Sequence, residues 1–108
     1  MEKNYLLKEE DIKQLIELKG SCIASDTITV EGQKVGYMYR ENPSNDTDSG
    51  WRFFSGNEDE EYTNNSNNFE IYDLNTICNY DQSIIPYLNA EINSKFSRNE
   101  DGIFTREI

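Results

Sequence analysis

Histidine is absent from this 108-residue chain. Its absence removes Ser–His and Cys–His nucleophile pairs and every imidazole metal site. Cysteine occurs only twice, at Cys22 and Cys78, without Cys-x-x-Cys spacing, so no zinc or dithiol signature is present. In an intracellular chain two such residues are expected to be buried small hydrophobes rather than a structural bridge. Cations are scarce: 10 Lys and Arg stand against 21 Asp and Glu, a formal net charge of −11. No cluster of bases could neutralise a row of phosphates, which argues against nucleic acid as a partner. No apolar run approaches the length of a membrane span, and Met1-Glu2-Lys3-Asn4-Tyr5 lacks the basic-then-apolar layout of a signal peptide. A cytoplasmic protein without membrane contact is the expectation.

What the chain does have is concentrated between Asp48 and Tyr62, D-S-G-W-R-F-F-S-G-N-E-D-E-E-Y. The only Trp and two adjacent Phe run directly into four consecutive carboxylates. Trp51, Phe53 and Phe54 can each remove a large apolar area from water, whereas Glu58, Asp59, Glu60 and Glu61 could be desolvated together only at prohibitive cost. The chain therefore passes from core to surface near Gly56. Aromatic residues at 12% argue for a folded domain, and the length fits one domain spanning residues 1–108.

Along the chain, Ile12, Leu15 and Ile16 recur at helical spacing within Lys8 to Leu18, with charged and polar residues between them. This predicts an amphipathic N-terminal helix within residues 1–20, stopped by Gly20. The period then changes to two. Cys22 and Ala24, then Ile28 and Val30, then Val35, Tyr37 and Tyr39 alternate with mostly polar residues, and Glu31-Gly32-Gln33 reads as a turn. The prediction is an antiparallel hairpin of Thr27 to Val30 against Val35 to Arg40. Gly50 to Ser55 is expected as a central strand because apolar residues fall on both of its faces. Residues 56–68 form an acidic, Asn-rich loop, and Phe69 to Tyr72 a short strand. Asp73 is suited to cap a helix carrying Leu74, Ile77 and Cys78, and Asp81 to start a further turn around Pro86. Phe96 and Arg98 face Phe104 and Arg106 in a terminal hairpin. The expected fold is α+β: a twisted, mostly antiparallel sheet, the N-terminal helix, and short helices after the central strands. Its core is expected to include Cys22, Tyr37, Trp51, Phe53, Leu74 and Ile77.

Candidate chemistry is thin. Lys19-Gly20-Ser21 lacks the upstream glycine of a phosphate loop. Asn45 to Gly50 superficially resembles a calcium loop, but its carboxylates are out of phase with the ligand positions. No pair of carboxylates is singled out by an apolar pocket that would raise one of them for acid catalysis. Neither catalytic residues, metal nor cofactor are expected. A carboxylate-based or metal-assisted enzyme would need several of Asp46, Asp48, Asp59 and Asp73 to converge in a concave pocket. Arg52 has two structural uses open to it, stacking on a ring or pairing with a carboxylate. The many tyrosines suit a protein interface, since each offers a ring and a polar tip.

Four blocks in order, Cys22-Ile-Ala-Ser-Asp26, Val35-Gly-Tyr-Met-Tyr-Arg40, Asp48 to Gly56 with its acidic continuation to Tyr62, and Ile71-Tyr-Asp-Leu-Asn-Thr-Ile-Cys-Asn-Tyr80 followed by Ile85-Pro-Tyr-Leu88, resemble the bacterial Imm33 (DUF2185) immunity protein family. The resemblance covers about Ser21 to Phe96. One departure is Ala90-Glu-Ile-Asn93, where relatives are expected to carry a Pro- and Gly-containing turn. The resemblance implies a small α+β protein, sometimes encoded beside polymorphic toxins, that binds and neutralises a cognate toxin, and it brings no catalytic residues. With the acidic balance, the expected partner is a basic toxin domain, a nuclease fitting best, bound by a monomer or homodimer. The expected contact residues are Asp48, Glu58, Asp59, Glu60, Glu61 and Tyr62. An interaction or housekeeping domain without a toxin partner would show the same composition.

Overall fold

Alternation of apolar and polar residues places six segments in one open sheet. In the computed structural model, which describes residues 3–107, these are β1 (Ser21–Ser25), β2 (Tyr37–Arg40), β3 (Asp48–Phe54), β4 (Phe69–Asp73), β5 (Lys95–Arg98) and β6 (Phe104–Glu107). Their spatial order is β4-β1-β3-β2-β5-β6. Only β1 and β3 run parallel; the other neighbours are antiparallel. The strand carrying Trp51 is central, as its two-sided apolar pattern predicts. Three helical turns or helices connect the strands: α1 (Asp26–Thr29), α2 (Glu60–Thr63) and α3 (Leu74–Tyr80). A 3-10 segment, Gln82–Tyr87, contains Pro86. Among the described residues no helix is long and apolar enough to cross a membrane.

One face of the sheet carries Cys22, Ala24, Met38, Trp51, Phe53 and Phe96. Ile28 of α1, Leu74, Ile77 and Cys78 of α3, and Ile84 and Leu88 after it complete the same buried cluster. Trp51 and Phe53 are fully buried and stacked at 6.0 Å, and the indole N–H donates to the Leu88 carbonyl at 3.1 Å. Each such ring contributes about 1.5–3 kcal/mol by leaving water. Cys22 and Cys78 are buried free thiols. At the far end Arg98 lies over the Phe104 ring at 4.2 Å and binds buried Asp81 at 2.8 Å. Asn93 takes a left-handed conformation, φ 79°, and donates its N–H to the Arg40 carbonyl. Asparagine tolerates that conformation better than most residues, so it stands where relatives are expected to turn with glycine.

Three local expectations fail. The helix over Lys8 to Leu18 does not form: only Glu9–Asp11 turns, as a 3-10 segment, and the chain then runs as an extended strap. Its backbone is gripped by two side chains one turn apart on α3. Asn75 accepts from the N–H groups of Leu15 (2.8 Å) and Ile16 (3.2 Å) and donates to the Lys13 carbonyl. Asn79 accepts from the Lys13 N–H and donates to the same carbonyl. Leu15 and Ile16 pack on the core from this extended state. A short isolated helix is marginal, so these tertiary bonds decide the conformation. Gly20, with φ +140°, is therefore not a helix stop but a point of close approach to Ser49 and Thr47.

The hairpin of Thr27 to Val30 against Val35 to Arg40 is also wrong. Ser25 accepts from the Thr27 N–H and caps α1, which buries Thr27, Ile28 and Thr29 despite their preference for strands. Strand β2 pairs instead with β3 and β5. The partner that α1 would have offered it is taken up in a helical turn.

Candidate functional site

The acidic stretch after β3 is an ordered corner rather than a bare loop, because its carboxylates have different tasks. Glu58 folds back. Its carboxylate accepts from the Thr27 hydroxyl at 2.7 Å, the Ser55 N–H at 2.9 Å and hydroxyl at 3.1 Å, and the Gly56 N–H at 2.9 Å. Burial alone would raise its pKa, but the Thr27 bond and the others prevail and hold it below the usual range. Asp59 caps α2 by accepting from the Tyr62 N–H at 2.7 Å. Glu60 and Glu61 lie exposed in that turn and have no ion-pair partner among the described residues. Tyr62 is half-buried with its ring edge-on to Phe69 at 6.0 Å.

Asp48 is elsewhere and turned inward. Its carboxylate takes both terminal nitrogens of Arg52 at 2.9 and 2.8 Å, with the Ser44 and Gly50 N–H groups donating to it as well. Chiefly the Arg52 bond holds its carboxyl far below the usual range against the opposing effect of burial. Glu41 binds the remaining guanidinium edge at 2.6 Å. Arg52 thus uses the carboxylate option, and the loop Glu41 to Thr47 is fastened to the sheet by it. Of the six residues expected to meet a partner, the fold brings Glu58, Asp59, Glu60, Glu61 and Tyr62 to one corner and sets Asp48 apart.

What sequence reasoning missed is the uncovered face of the sheet. Register puts Ile23, Tyr37, Tyr39, Arg52, Phe54 and Ile71 on the side opposite α1 and α3. Tyr37 and Tyr39 each stack on Phe54, at 6.0 and 5.9 Å. Phe54 meets Phe69 at 5.5 Å, and Phe69 meets Tyr62. A row of rings therefore runs from β2 across β3 to the acidic corner. Tyr37, expected in the core, belongs here and is half-buried, whereas Cys22, Trp51, Phe53, Leu74 and Ile77 have no exposure. The period-two spacing of Tyr37 and Tyr39 was the available signal; which face they occupied depended on the register.

Two shallow hollows flank Glu58. One, of about 390 Å³, is lined by Tyr37, Tyr39, Phe54, Gly56, Glu58 and Thr63. The other, of about 450 Å³, is polar and includes Thr27, Glu31, Gln33, Asn57, Asp59 and Glu61. Of the four aspartates from which a carboxylate enzyme would draw, Asp46 and Asp48 line one hollow, Asp73 another and Asp59 a third. Asp48 and Asp73 both register opposite Ser21 at one end of β1, Asp46 lies in the loop beside Asp48, and Asp59 lines the polar hollow with Thr27, beyond the other end of β1. Among the described residues there is no group of three His, Cys, Asp or Glu placed to hold a metal ion.

The model of one protein family, described as the Immunity protein Imm33 domain, matches residues 22–107. No curated protein and no solved structure matches the chain.

Proposed function

Because the chain belongs to the Imm33 immunity protein family, we propose that it neutralises a cognate toxin by binding it, without catalysis, through the acidic corner around α2. The supporting observation is the contrast between neighbouring carboxylates. Glu58 and Asp59 hold the frame with inward bonds, and Glu60 and Glu61 stand exposed on it. Charges displayed this way are costly to bury unless cations meet them, so the complementary surface is basic. The net charge of −11 attracts such a surface before contact. A toxin whose working face is cationic, as the phosphate-binding face of a nuclease is, would be blocked by occupation of that face. Asp48 has no part in this contact, since Arg52 already engages its carboxylate.

The test is co-expression in a sensitive host with each toxin domain that the source genome encodes near this gene. Restored growth is expected, together with slower association and a flatter salt dependence for Glu60→Gln/Glu61→Gln in a binding assay. A folded protein that leaves the host unprotected refutes the neutralising role; an unchanged association rate removes the acidic corner from the interface.

A further inference from the structure

We infer that the uncovered sheet face is the anchoring half of the partner interface, and that it takes a cationic protein segment carrying an aromatic or apolar side chain between its basic residues. This rests on the neutralising role proposed above and names the partner's chemistry.

The rings of Tyr37, Tyr39 and Phe54 do not serve the core, which lies on the other side of the sheet and is covered by α1 and α3. They form a stacked floor, and Glu58 supplies one wall of the hollow above it. A ring floor beside the uncompensated charge of Glu58 suits a cation that stacks on the rings, or an apolar side chain whose flanking bases reach the rim. The hydroxyls of Tyr37 and Tyr39 have no hydrogen-bond partner among the described residues, so both remain available to a bound segment. The one guanidinium set in this face, Arg52, is already matched by Asp48 and Glu41 and does not repel a cation. Lys95 is an exposed cation of the same face, opposite Tyr39 on one side and Glu107 on the other, and the Glu107 charge offsets it.

The same charges decide against a second copy of this chain. A second copy would present the same net charge of −11 to this face, so like charges oppose a two-fold contact. Half-buried tyrosines beside an unpaired acidic turn therefore fit a basic partner better than a homodimer.

Two measurements test the proposal. With the toxin from the co-expression experiment, calorimetry compares the wild type with Tyr37→Ala/Tyr39→Ala, with Glu60→Gln/Glu61→Gln, and with Glu100→Gln in the β5–β6 turn as a control. A tenfold or greater loss of affinity for the tyrosine double variant, through faster dissociation, is expected, with thermal unfolding and Trp51 fluorescence verifying its fold. Affinity within twofold of the wild type overturns the anchoring role while leaving neutralisation intact. Independently of any toxin, a five-residue peptide alternating lysine and tryptophan is titrated into the ¹⁵N-labelled protein beside its glutamate–tryptophan counterpart. Amide shifts at Tyr37, Tyr39, Phe54 and Gly56 with the cationic peptide alone are expected. Shifts confined to Glu60 and Glu61, equal shifts with the anionic peptide, or no shifts overturn the proposal. Shifts at the face without protection of the host would remove the immunity role and keep the face as a cationic-peptide site.

Discussion

Asp48 and Arg52 form a two-bonded ion pair along a single strand, with nitrogen–oxygen distances of 2.9 and 2.8 Å. In a regular strand, positions four apart are separated by roughly 13 Å. Here Ser21 and Ile23 of β1 register against Asp48 and Arg52 of β3, so two steps on one strand face four on the other. The excess is absorbed near Gly50, whose φ is +88°. The shortened path brings the carboxylate to the guanidinium, and both side chains are about 5% exposed. The D-S-G-W-R block is therefore a unit: a bulge, an ion pair and a core indole made by consecutive residues.

Removing the carboxylate charge should leave Arg52 buried with only Glu41. Asp48→Asn is expected to lose about 3 kcal/mol of stability near neutral pH, the low end for a broken buried pair. Because the folded-state pKa of Asp48 is depressed, its contribution is present above the unfolded value of about 3.9 and fades as pH falls below it. Urea titrations of both proteins should converge as pH drops below about 4. A gap that persists unchanged at pH 2.5 would show that the pair is not its source.

The bulge itself can be probed through Gly50. A Cβ there would run into the Glu41 carbonyl oxygen and would also sit at a positive φ, whereas at Gly102, φ +79°, it would meet nothing within 4 Å. Gly102→Ala should cost about 1 kcal/mol, the conformational term alone, and Gly50→Ala clearly more. Equal midpoints in denaturant would contradict the steric account.

Asn75→Ala removes three of the bonds that hold the strap. Hydrogen exchange at the Leu15 and Ile16 amides should accelerate strongly while the Phe53 amide keeps its protection, and trypsin should cut sooner after Lys13. Unaltered protection at Leu15 would mean that its side-chain packing, not the amide grip, orders the segment.

Both thiols should resist alkylation in the native protein. Burial pushes Cys22 well above its ordinary pKa and Cys78 up to about 11, so the reactive thiolate is scarce at pH 8. Mass spectrometry after iodoacetamide should find no label until urea is added, then two. Rapid single labelling without denaturant would place one cysteine at the surface.

Glu58 and Glu60 differ by two positions and should differ in kind. Glu58→Gln weakens bonds from Thr27, Ser55 and Gly56 and is expected to lower the melting temperature by several degrees near neutral pH. Its pKa is lowered in the fold, so that stabilisation is present above about 4.3 and lost as pH falls below it. Glu60→Gln should leave the melting temperature unchanged. Matching shifts for the two variants would erase the distinction between framing and displayed carboxylates.

Much of the fold was legible where pattern and packing coincide. Trp51 and Phe53 share one face of a strand whose other face carries Phe54, and that strand is central; Leu74, Ile77 and Cys78 fall at helical spacing and meet the core. Asp81 caps the 3-10 segment that follows by accepting from the Ser83 N–H, in keeping with the turn expected to start there around Pro86. The acidic corner was visible as composition, but the separate tasks of Glu58 and Glu60 were not. Hydrogen bonds from Thr27, distant in sequence, separate them.

Hydrophobic period, charge and ordered blocks are local properties of the chain, and they were enough for the α+β class, the buried aromatic strand, the acidic composition and the family. Three features came from the folded arrangement instead: residues 12–20 form an extended strap, Asp48 faces Arg52, and Tyr37 and Tyr39 lie on the face away from the core. Each of these depends on a partner far away in sequence: Asn75 and Asn79 for the strap, the β1–β3 register for the ion pair, and the packing of α1 and α3 on the opposite side of the sheet for the half-buried rings. Local preferences are worth tenths of a kcal/mol per residue, and a handful of long-range hydrogen bonds and buried contacts outweighs them.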